Sequence, residues 1–91
     1  MSRLEKGGAL LEAIGISVSK RRIELGMSQE ELARKAGVHR TYISDVERGV
    51  RNVSILTLER IANAMEVPLG VLFIFGAPQV APTAALRKQK A

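Results

Sequence analysis

The 91-residue sequence has no cysteine, no tryptophan and a single histidine. Without cysteine the chain can form no disulfide framework and no thiolate metal site, and it has no cysteine nucleophile. One histidine cannot build a metal cluster, so we expect no metal site and no other cofactor. A cysteine-free chain is also compatible with a reducing compartment, and we expect the protein to be cytoplasmic.

Long apolar runs are scarce as well. The longest, residues 71–75, falls far short of the roughly 20 residues that a membrane span needs, and no charged start with an apolar signal core precedes it. The sequence also lacks a GxxxxGK phosphate loop and paired carboxylates at an apparent cleft. We therefore predict a protein that neither enters a membrane nor acts as an enzyme.

Basic residues outnumber acidic ones: 14 Lys and Arg face 9 Asp and Glu, which gives a formal net charge of +5 at pH 7. The excess lies in residues 20–52, with eight basic and five acidic residues, and in residues 76–91, with three basic residues and no acidic one. This balance favours an anionic partner. The apolar content of 46% is ordinary for a folded domain, and the length suits one domain.

Residues 10–75 show no strand-like alternation of useful length and no internal repeat, so we predict an all-α fold of five compactly packed helices. Residues 1–9 contain the paired Gly7 and Gly8 before any periodic pattern and are expected to form an N-terminal arm. Residues 76–91 contain two of the three prolines and are expected to form a flexible basic tail.

Caps and breakers predict the helix boundaries. The first helix carries an apolar stripe and ends at Gly26. Ser28 and Glu31 form a capping box for a short second helix, which Gly37 ends. A third helix is predicted from about residue 39 to Gly49. The break of about three residues between the second and third helices is the length used in a helix-turn-helix.

The stretch SQEELARKAGVHRTYISDVERG, residues 28–49, resembles the helix-turn-helix of the Cro/C1 family of phage-type repressors, in which the second helix of the pair lies in the major groove. The likeness extends over about residues 15–73. Within it, RTYISDVERGVRN is similar to the controller proteins of restriction-modification systems. The resemblance implies a sequence-specific transcriptional regulator, a dimer on a pseudo-palindromic operator, that represses or activates its own promoter.

One charged residue is predicted to lie inside the core. Arg22 falls within the apolar stripe of the first helix, where a lone charge would be costly, so it needs a partner. Glu47 lies beside Ile43 and Val46 on the inner face of the third helix, and the resemblance implies a buried pair between Arg22 and Glu47. The alternative is that Arg22 extends to solvent.

The outer face of the third helix carries short polar groups and arginines. Arginine reads guanine bidentately and a threonine methyl can meet a thymine methyl, so we expect base readout in the major groove. The alternative is an ordinary solvated helix face. Asp45 would repel phosphates unless it accepts from cytosine or pairs with an arginine. The candidate base-reading residues are Arg40, Thr41, Ser44 and Asp45.

A second set of residues is expected to hold the DNA backbone. Gln29 begins the second helix, where free backbone N–H groups attract a phosphate, and the resemblance implies that Gln29 holds the DNA backbone. The alternative, compatible with the first, is ordinary helix-start chemistry. The resemblance implies that residues around the Gly49 turn hold the sugar-phosphate chain. Tyr42 lies between the inner and outer faces, and core packing is its equal alternative. The candidate backbone-binding residues are Gln29, Tyr42, Arg48, Arg51 and Asn52.

The remaining apolar residues predict a homodimer. Ser54 caps a fourth helix whose inward stripe begins with Ile55 and leaves Leu56 on the opposite side. A fifth helix after Pro68 is apolar nearly all round. The alternative is that the N-terminal arm covers these residues. The predicted interface comprises Leu56, Leu69, Val71, Leu72, Phe73 and Phe75.

Double-stranded DNA is the predicted partner besides the second subunit. RNA polymerase is a further candidate, because Glu30 and Glu31 lie where relatives touch polymerase, although the helix dipole also explains acidic residues there. A protein-interaction module, such as an antiactivator or antitoxin subunit, is the alternative function. That alternative predicts the loss of basic anchors, whereas Arg40, Arg48 and Arg51 are all present.

Overall fold

The computed structural model describes residues 2–75, with side chains from Gly8 onward. This part of the chain is all-helical and contains no strand. It holds four α-helices and one 3-10 helix: α1 (Ser2–Glu24), α2 (Gln29–Ala36), α3 (Arg40–Arg48), α4 (Ile55–Ala64) and the 3-10 helix (Leu69–Phe73). The predicted basic tail, residues 76–91, lies outside the described residues.

The all-α prediction is confirmed for this region, but the count of five α-helices is wrong. Residues Leu69–Phe73 form a 3-10 helix, in which Val71 N donates to Pro68 O at 3.0 Å. A segment of five residues after a proline is too short to build more than one α-helical turn, and short segments often close with i to i+3 hydrogen bonds instead.

The first helix is longer than predicted. It begins at Ser2, so residues 2–9 continue α1 where an N-terminal arm was expected. Two glycines cost only about 1 kcal/mol each relative to alanine in a helix, which their flanking residues can offset. At the other end, Gly26 has φ 70 and closes the turn after α1.

The predicted helix-turn-helix signals are present. Ser28 Oγ accepts from Glu31 N at 3.0 Å, and Glu31 Oε1 accepts from Ser28 N at 3.4 Å, which completes the capping box of α2. Gly37 ends α2 with φ 73, and α3 starts three residues later without a side-chain cap from His39. Only two residues separate Gly37 from Arg40, so the turn fixes α3 closely against α2.

All five helical segments contribute to one core. α1 packs mainly on α3, and α2 packs on both α3 and α4. The buried core residues are Ile14, Val18, Leu32, Ala33, Ala36, Ile43, Val46, Leu58, Ile61, Ala62, Met65 and Leu72. Ile55 was expected in the inward stripe of α4 but is 58% exposed, because it occupies the first turn of α4, directly after the Ser54 cap.

Candidate nucleic-acid interface

The third helix is strongly two-sided. Ile43 and Val46 are fully or almost fully buried, and they anchor one face of α3 in the core. Arg40 and Thr41 are exposed at its N-terminal end, and Ser44 is half-buried beside them. The structure therefore presents three of the four predicted base-reading residues on the accessible side of α3.

The fourth, Asp45, is engaged by arginines. Arg48 Nη2 donates to Asp45 Oδ1 at 2.7 Å, and Arg51 Nη2 donates to Asp45 Oδ2 at 3.2 Å. The hydrogen bond from Arg48 is the main reason that the pKa of the Asp45 carboxyl lies below its usual value. Both carboxylate oxygens thus already have a guanidinium partner in the free chain.

Arg51 also lies over an aromatic ring. Its guanidinium carbon is 4.4 Å from the centroid of the Tyr42 ring, a cation–π geometry. Tyr42 is half-buried and packs against the core, so its ring is a fixed platform for Arg51. The structure supports the core-packing interpretation of Tyr42, and the ring also contacts the Arg51 guanidinium. Asn52 is exposed in the loop that follows.

The structure brings Arg22 and Glu47 together. Arg22 Nε donates to Glu47 Oε2 at 2.6 Å and Arg22 Nη2 donates to Glu47 Oε1 at 3.0 Å. Their side chains are only 13% and 7% exposed. The hydrogen bonds to Glu47 raise the pKa of Arg22 above its ordinary value, against the effect of burial. Arg22 does not extend to solvent, and its guanidinium stays charged.

This ion pair reaches the start of α2. Gln29 Nε2 donates to Glu47 Oε1 at 2.9 Å, and Arg22 Nη1 donates to the carbonyl of Met27 at 2.7 Å. One network therefore ties the end of α1, the first turn of α2 and the inner face of α3. Sequence reasoning placed Gln29 at the helix start but missed its contact with Glu47, because the contact depends on how α2 meets α3.

The predicted dimer residues divide by exposure. Leu56 is 71% exposed, and Val71 and Phe73 are partly exposed. Leu69 and Phe75 are half-buried and pack on the core of their own subunit. Leu72 is 0% exposed, so its assignment to an interface is wrong. The 3-10 helix directs this one side chain fully into the core.

Two exposed apolar residues next to the predicted interface were missed. Ile74 is 72% exposed directly after the 3-10 helix, and Ile55 is exposed next to Leu56 at the start of α4. The signal available in the sequence was the apolar run of residues 71–75, but a 3-10 geometry turns different positions outward from those of an α-helix. Phe73 and Phe75 contact each other edge to face, with ring centroids 6.4 Å apart.

The described residues hold no group of three metal-ligating side chains. Between Ser2 and Phe75, no helix is long and apolar enough to cross a membrane.

Comparisons with known proteins match this geometry. The family profile for helix-turn-helix proteins matches residues 18–72. The control protein C.BamHI of Bacillus amyloliquefaciens is 58% identical over 41 residues, which cover 45% of this chain and 51% of that protein. The aligned region thus spans about half of C.BamHI.

Two solved structures extend the likeness to the fold. The restriction-modification controller protein C.AhdI of Aeromonas hydrophila is 38% identical with a TM-score of 0.70, over 71% of this chain and 98% of that one. The controller protein C.Esp1396I, solved as a tetramer with its natural 35 base-pair operator, is 45% identical with a TM-score of 0.66, over 70% of this chain and 84% of that one. The chain therefore belongs to the helix-turn-helix family, which is a family of DNA-binding regulators.

Proposed function

We propose that this protein is a sequence-specific transcriptional regulator that binds duplex DNA through α3. The observation that carries the proposal is the two-sided character of α3. Ile43 and Val46 bury its inner face in the core, while Arg40 and Thr41 are exposed to solvent at its N-terminal end. A capped helix and a tight glycine turn precede it, which is the arrangement that delivers a recognition helix into a major groove.

Base readout is assigned to the exposed end of α3. Arg40 suits a bidentate contact with guanine, and Thr41 and Ser44 suit shorter polar or methyl contacts. Asp45 lies on the same face, but both of its carboxylate oxygens accept hydrogen bonds from arginines. Because both oxygens are already engaged, we expect Asp45 to act on DNA binding through Arg48 and Arg51 and not by direct contact with a base.

Backbone binding is assigned to residues on both sides of α3. Arg48, Arg51 and Asn52 lie around the Gly49 turn and are exposed. Gln29 lies in the first turn of α2, and its hydrogen bond to Glu47 holds the side chain in one position. A held donor loses less conformational entropy when it meets a phosphate.

We propose that the regulator is a homodimer on a pseudo-palindromic operator. One α3 covers few base pairs, and two half-sites about 34 Å apart multiply the recognition. Leu56, Phe73 and Ile74 supply apolar surface that the subunit's own core does not cover. Self-association on DNA is also what the C.Esp1396I tetramer with its operator displays for that protein.

Autoregulation as a repressor or activator belongs to the same proposal. For activation, RNA polymerase is the proposed partner, and the exposed Glu30 at the start of α2 is the candidate contact. Glu31 is less suited, because its side chain closes the capping box. We place such a regulator in the cytoplasm, together with its operator DNA.

Selection from a library of randomised duplexes tests the function. We expect the parent protein to enrich an inverted repeat with half-sites one helical turn apart. The control is a variant with Arg40, Arg48 and Arg51 all changed to Ala, which should stay folded because all three side chains are exposed, and should enrich nothing. If the parent enriches no motif and instead binds a protein tightly, the protein-interaction module replaces this proposal.

A further inference from the structure

The two arginines proposed to hold the DNA backbone share one carboxylate. Arg48 and Arg51 each donate from Nη2 to a different oxygen of Asp45, at 2.7 and 3.2 Å. Asp45 is 19% exposed in these pairs, whereas Arg48 and Arg51 are 64% and 42% exposed. The carboxylate thus lies at the base of the cluster and the guanidinium groups lie at its accessible edge.

The pairing is selective among the basic residues of this face. Among the described residues, Arg40 has no ion pair, although it lies on the same helix. The other acidic residue of α3, Glu47, is turned inward to Arg22 and Gln29. Asp45 therefore adds its negative charge only to the arginines that would contact phosphates and leaves the candidate base reader free.

From this geometry we infer that Asp45 is an intramolecular competitor of DNA phosphates, which lowers the affinity of the protein for duplex DNA without changing its preferred sequence. A phosphate that approaches Arg48 or Arg51 meets a guanidinium already hydrogen-bonded to a carboxylate, and it is repelled by that carboxylate. The inference rests on the proposed function, because the competition needs DNA binding through α3. It assigns Asp45 an affinity-setting function distinct from base reading.

A positioning function for Asp45 is the nearest competing interpretation. Arg51 has a second partner, the Tyr42 ring, whose centroid is 4.4 Å from its guanidinium carbon, so the carboxylate is not the only group that orients it. The Arg48 side chain is 64% exposed, so its ion pair orders it only weakly. Exposed ion pairs order long side chains only weakly, whereas a negative charge beside several phosphates opposes each of them.

The competition persists over the ordinary pH range. The pKa of the Asp45 carboxyl is lowered by Arg48 and Arg51, so the carboxylate stays ionised wherever an unpaired aspartate would be ionised. The groups that face it are these two arginines, and no other charged side chain among the described residues forms an ion pair with it.

The test measures binding of parent and Asp45→Asn proteins to a fluorescein-labelled duplex of random sequence, about 30 base pairs long, by anisotropy at about 0.1 M salt. We expect Asp45→Asn to bind about three- to tenfold more tightly, the combined effect of two exposed ion pairs. Asp45→Ala should act in the same direction. Glu59→Gln on α4 makes the same change in net charge at an exposed site away from these arginines, and should change affinity by less than about twofold.

Two further arms separate the outcomes. In a background with Arg48 and Arg51 both changed to Ala, Asp45→Asn should raise affinity by less than it does in the parent, because only the repulsion between the carboxylate and the phosphates then remains. An undiminished effect in that background overturns the competition for the arginines. Selection on randomised duplexes should return the same motif for parent and Asp45→Asn. Unchanged or weaker binding overturns the inference while leaving the proposed function in place, and a shifted motif overturns it in favour of base reading. If the parent binds no duplex at all, the proposed function fails and the inference fails with it.

Discussion

Gly15 of α1 lies in direct contact with the backbone of α3 at Val46. A Cβ atom placed on Gly15 would lie 2.6 Å from the carbonyl oxygen of Glu47 and also too close to that of Val46. From the other side, a Cβ on Gly49 would lie 2.9 Å from Cα of Glu12. The absence of side chains at these two glycines therefore sets the distance between α1 and the end of α3.

Gly15→Ala should destabilise the fold. Alanine favours a helix over glycine by about 1 kcal/mol, but overpacking against a fixed backbone costs about 1 to 3 kcal/mol, and the obstacle here is main chain that cannot rotate away. Because the obstacle is backbone, we expect an overpacking cost of about 2 to 3 kcal/mol and hence a net loss of about 1 to 2 kcal/mol in the free energy of unfolding, measured by urea denaturation. Gly8→Ala is the matched control, because nothing lies within 4 Å of its Cβ.

Gly8→Ala should leave the protein as stable as the parent or slightly more stable. If Gly15→Ala behaves in the same way, α1 and α3 have room to separate and the close approach is not a constraint.

The sequence predicts the ends of α2 and α3 but not this close approach. Ser28, Glu31 and Gly37 act through local hydrogen bonds and backbone dihedrals, so their pattern predicts the ends of α2. Gly15 looks like a helix-weakening residue in the sequence. Glycine is needed at this position because α1 crosses α3, whose residues lie about 30 positions further along the chain. The sequence around Gly15 does not show where α3 will pack, so it does not predict this contact.

Some features of the candidate site could be predicted from the sequence and others could not. The pairing of Arg22 with Glu47 follows from a charge placed on an apolar face, which must find a partner wherever the chain folds. The burial of Leu72 does not follow, since an apolar run shows which residues can be buried but not which one a 3-10 turn selects. Exposure of Ile55 likewise depends on where α4 begins relative to the core.

Breaking the Arg22–Glu47 pair should be costly. Arg22→Ala or Glu47→Ala leaves one largely buried charge without its partner, and we expect a loss of about 3 kcal/mol in the free energy of unfolding. The control is Glu24→Ala, which removes the exposed partner of Arg21 and should cost about 1 kcal/mol or less.

The double variant Arg22→Ala, Glu47→Ala should lose less than the two single variants added together, because neither charge is then stranded. Equal melting of the Glu24→Ala and Arg22→Ala proteins would show that the pair is not buried enough to matter.

Changing Leu56 and Phe73 together to Glu should convert the proposed dimer into a folded monomer. Both side chains are accessible on the subunit, so the charges disrupt the apolar interface without entering the core. Light scattering gives the mass, and circular dichroism verifies the helix content. Ile23→Glu, at a residue 63% exposed on α1, is the control and should leave the dimer intact. A parent that is monomeric at high micromolar concentration contradicts the dimer outright.

Asp45 should titrate at lower pH than an unpaired aspartate, as followed by carboxyl carbon NMR. Its lowered pKa means that the ion pairs favour folding above the unfolded aspartate pKa, and that this contribution is lost as the pH falls through the folded pKa. Arg48→Ala should raise the Asp45 pKa more than Arg51→Ala does, because the Arg48 hydrogen bond is the larger cause. No shift in either variant would show that the cluster does not persist in solution, and equal shifts would show that Arg51 lowers the Asp45 pKa as much as Arg48 does.

Arg40 and Arg51 should separate specificity from affinity. Arg40 has no partner on α3 in the free chain and is free for a base edge, so Arg40→Ala should cost about 1 to 3 kcal/mol on the selected duplex and relax the preference at one symmetric position. Arg51 lies over Tyr42 and is a proposed phosphate contact, so Arg51→Ala should weaken binding to all duplexes and flatten the salt dependence by about one unit. Lys20→Ala, an equal charge change at an exposed site on α1, is the control and should alter neither quantity much. Selection on randomised duplexes together with salt titrations measures both effects, and a motif that shifts with Arg51→Ala would assign that residue to reading bases or groove shape instead.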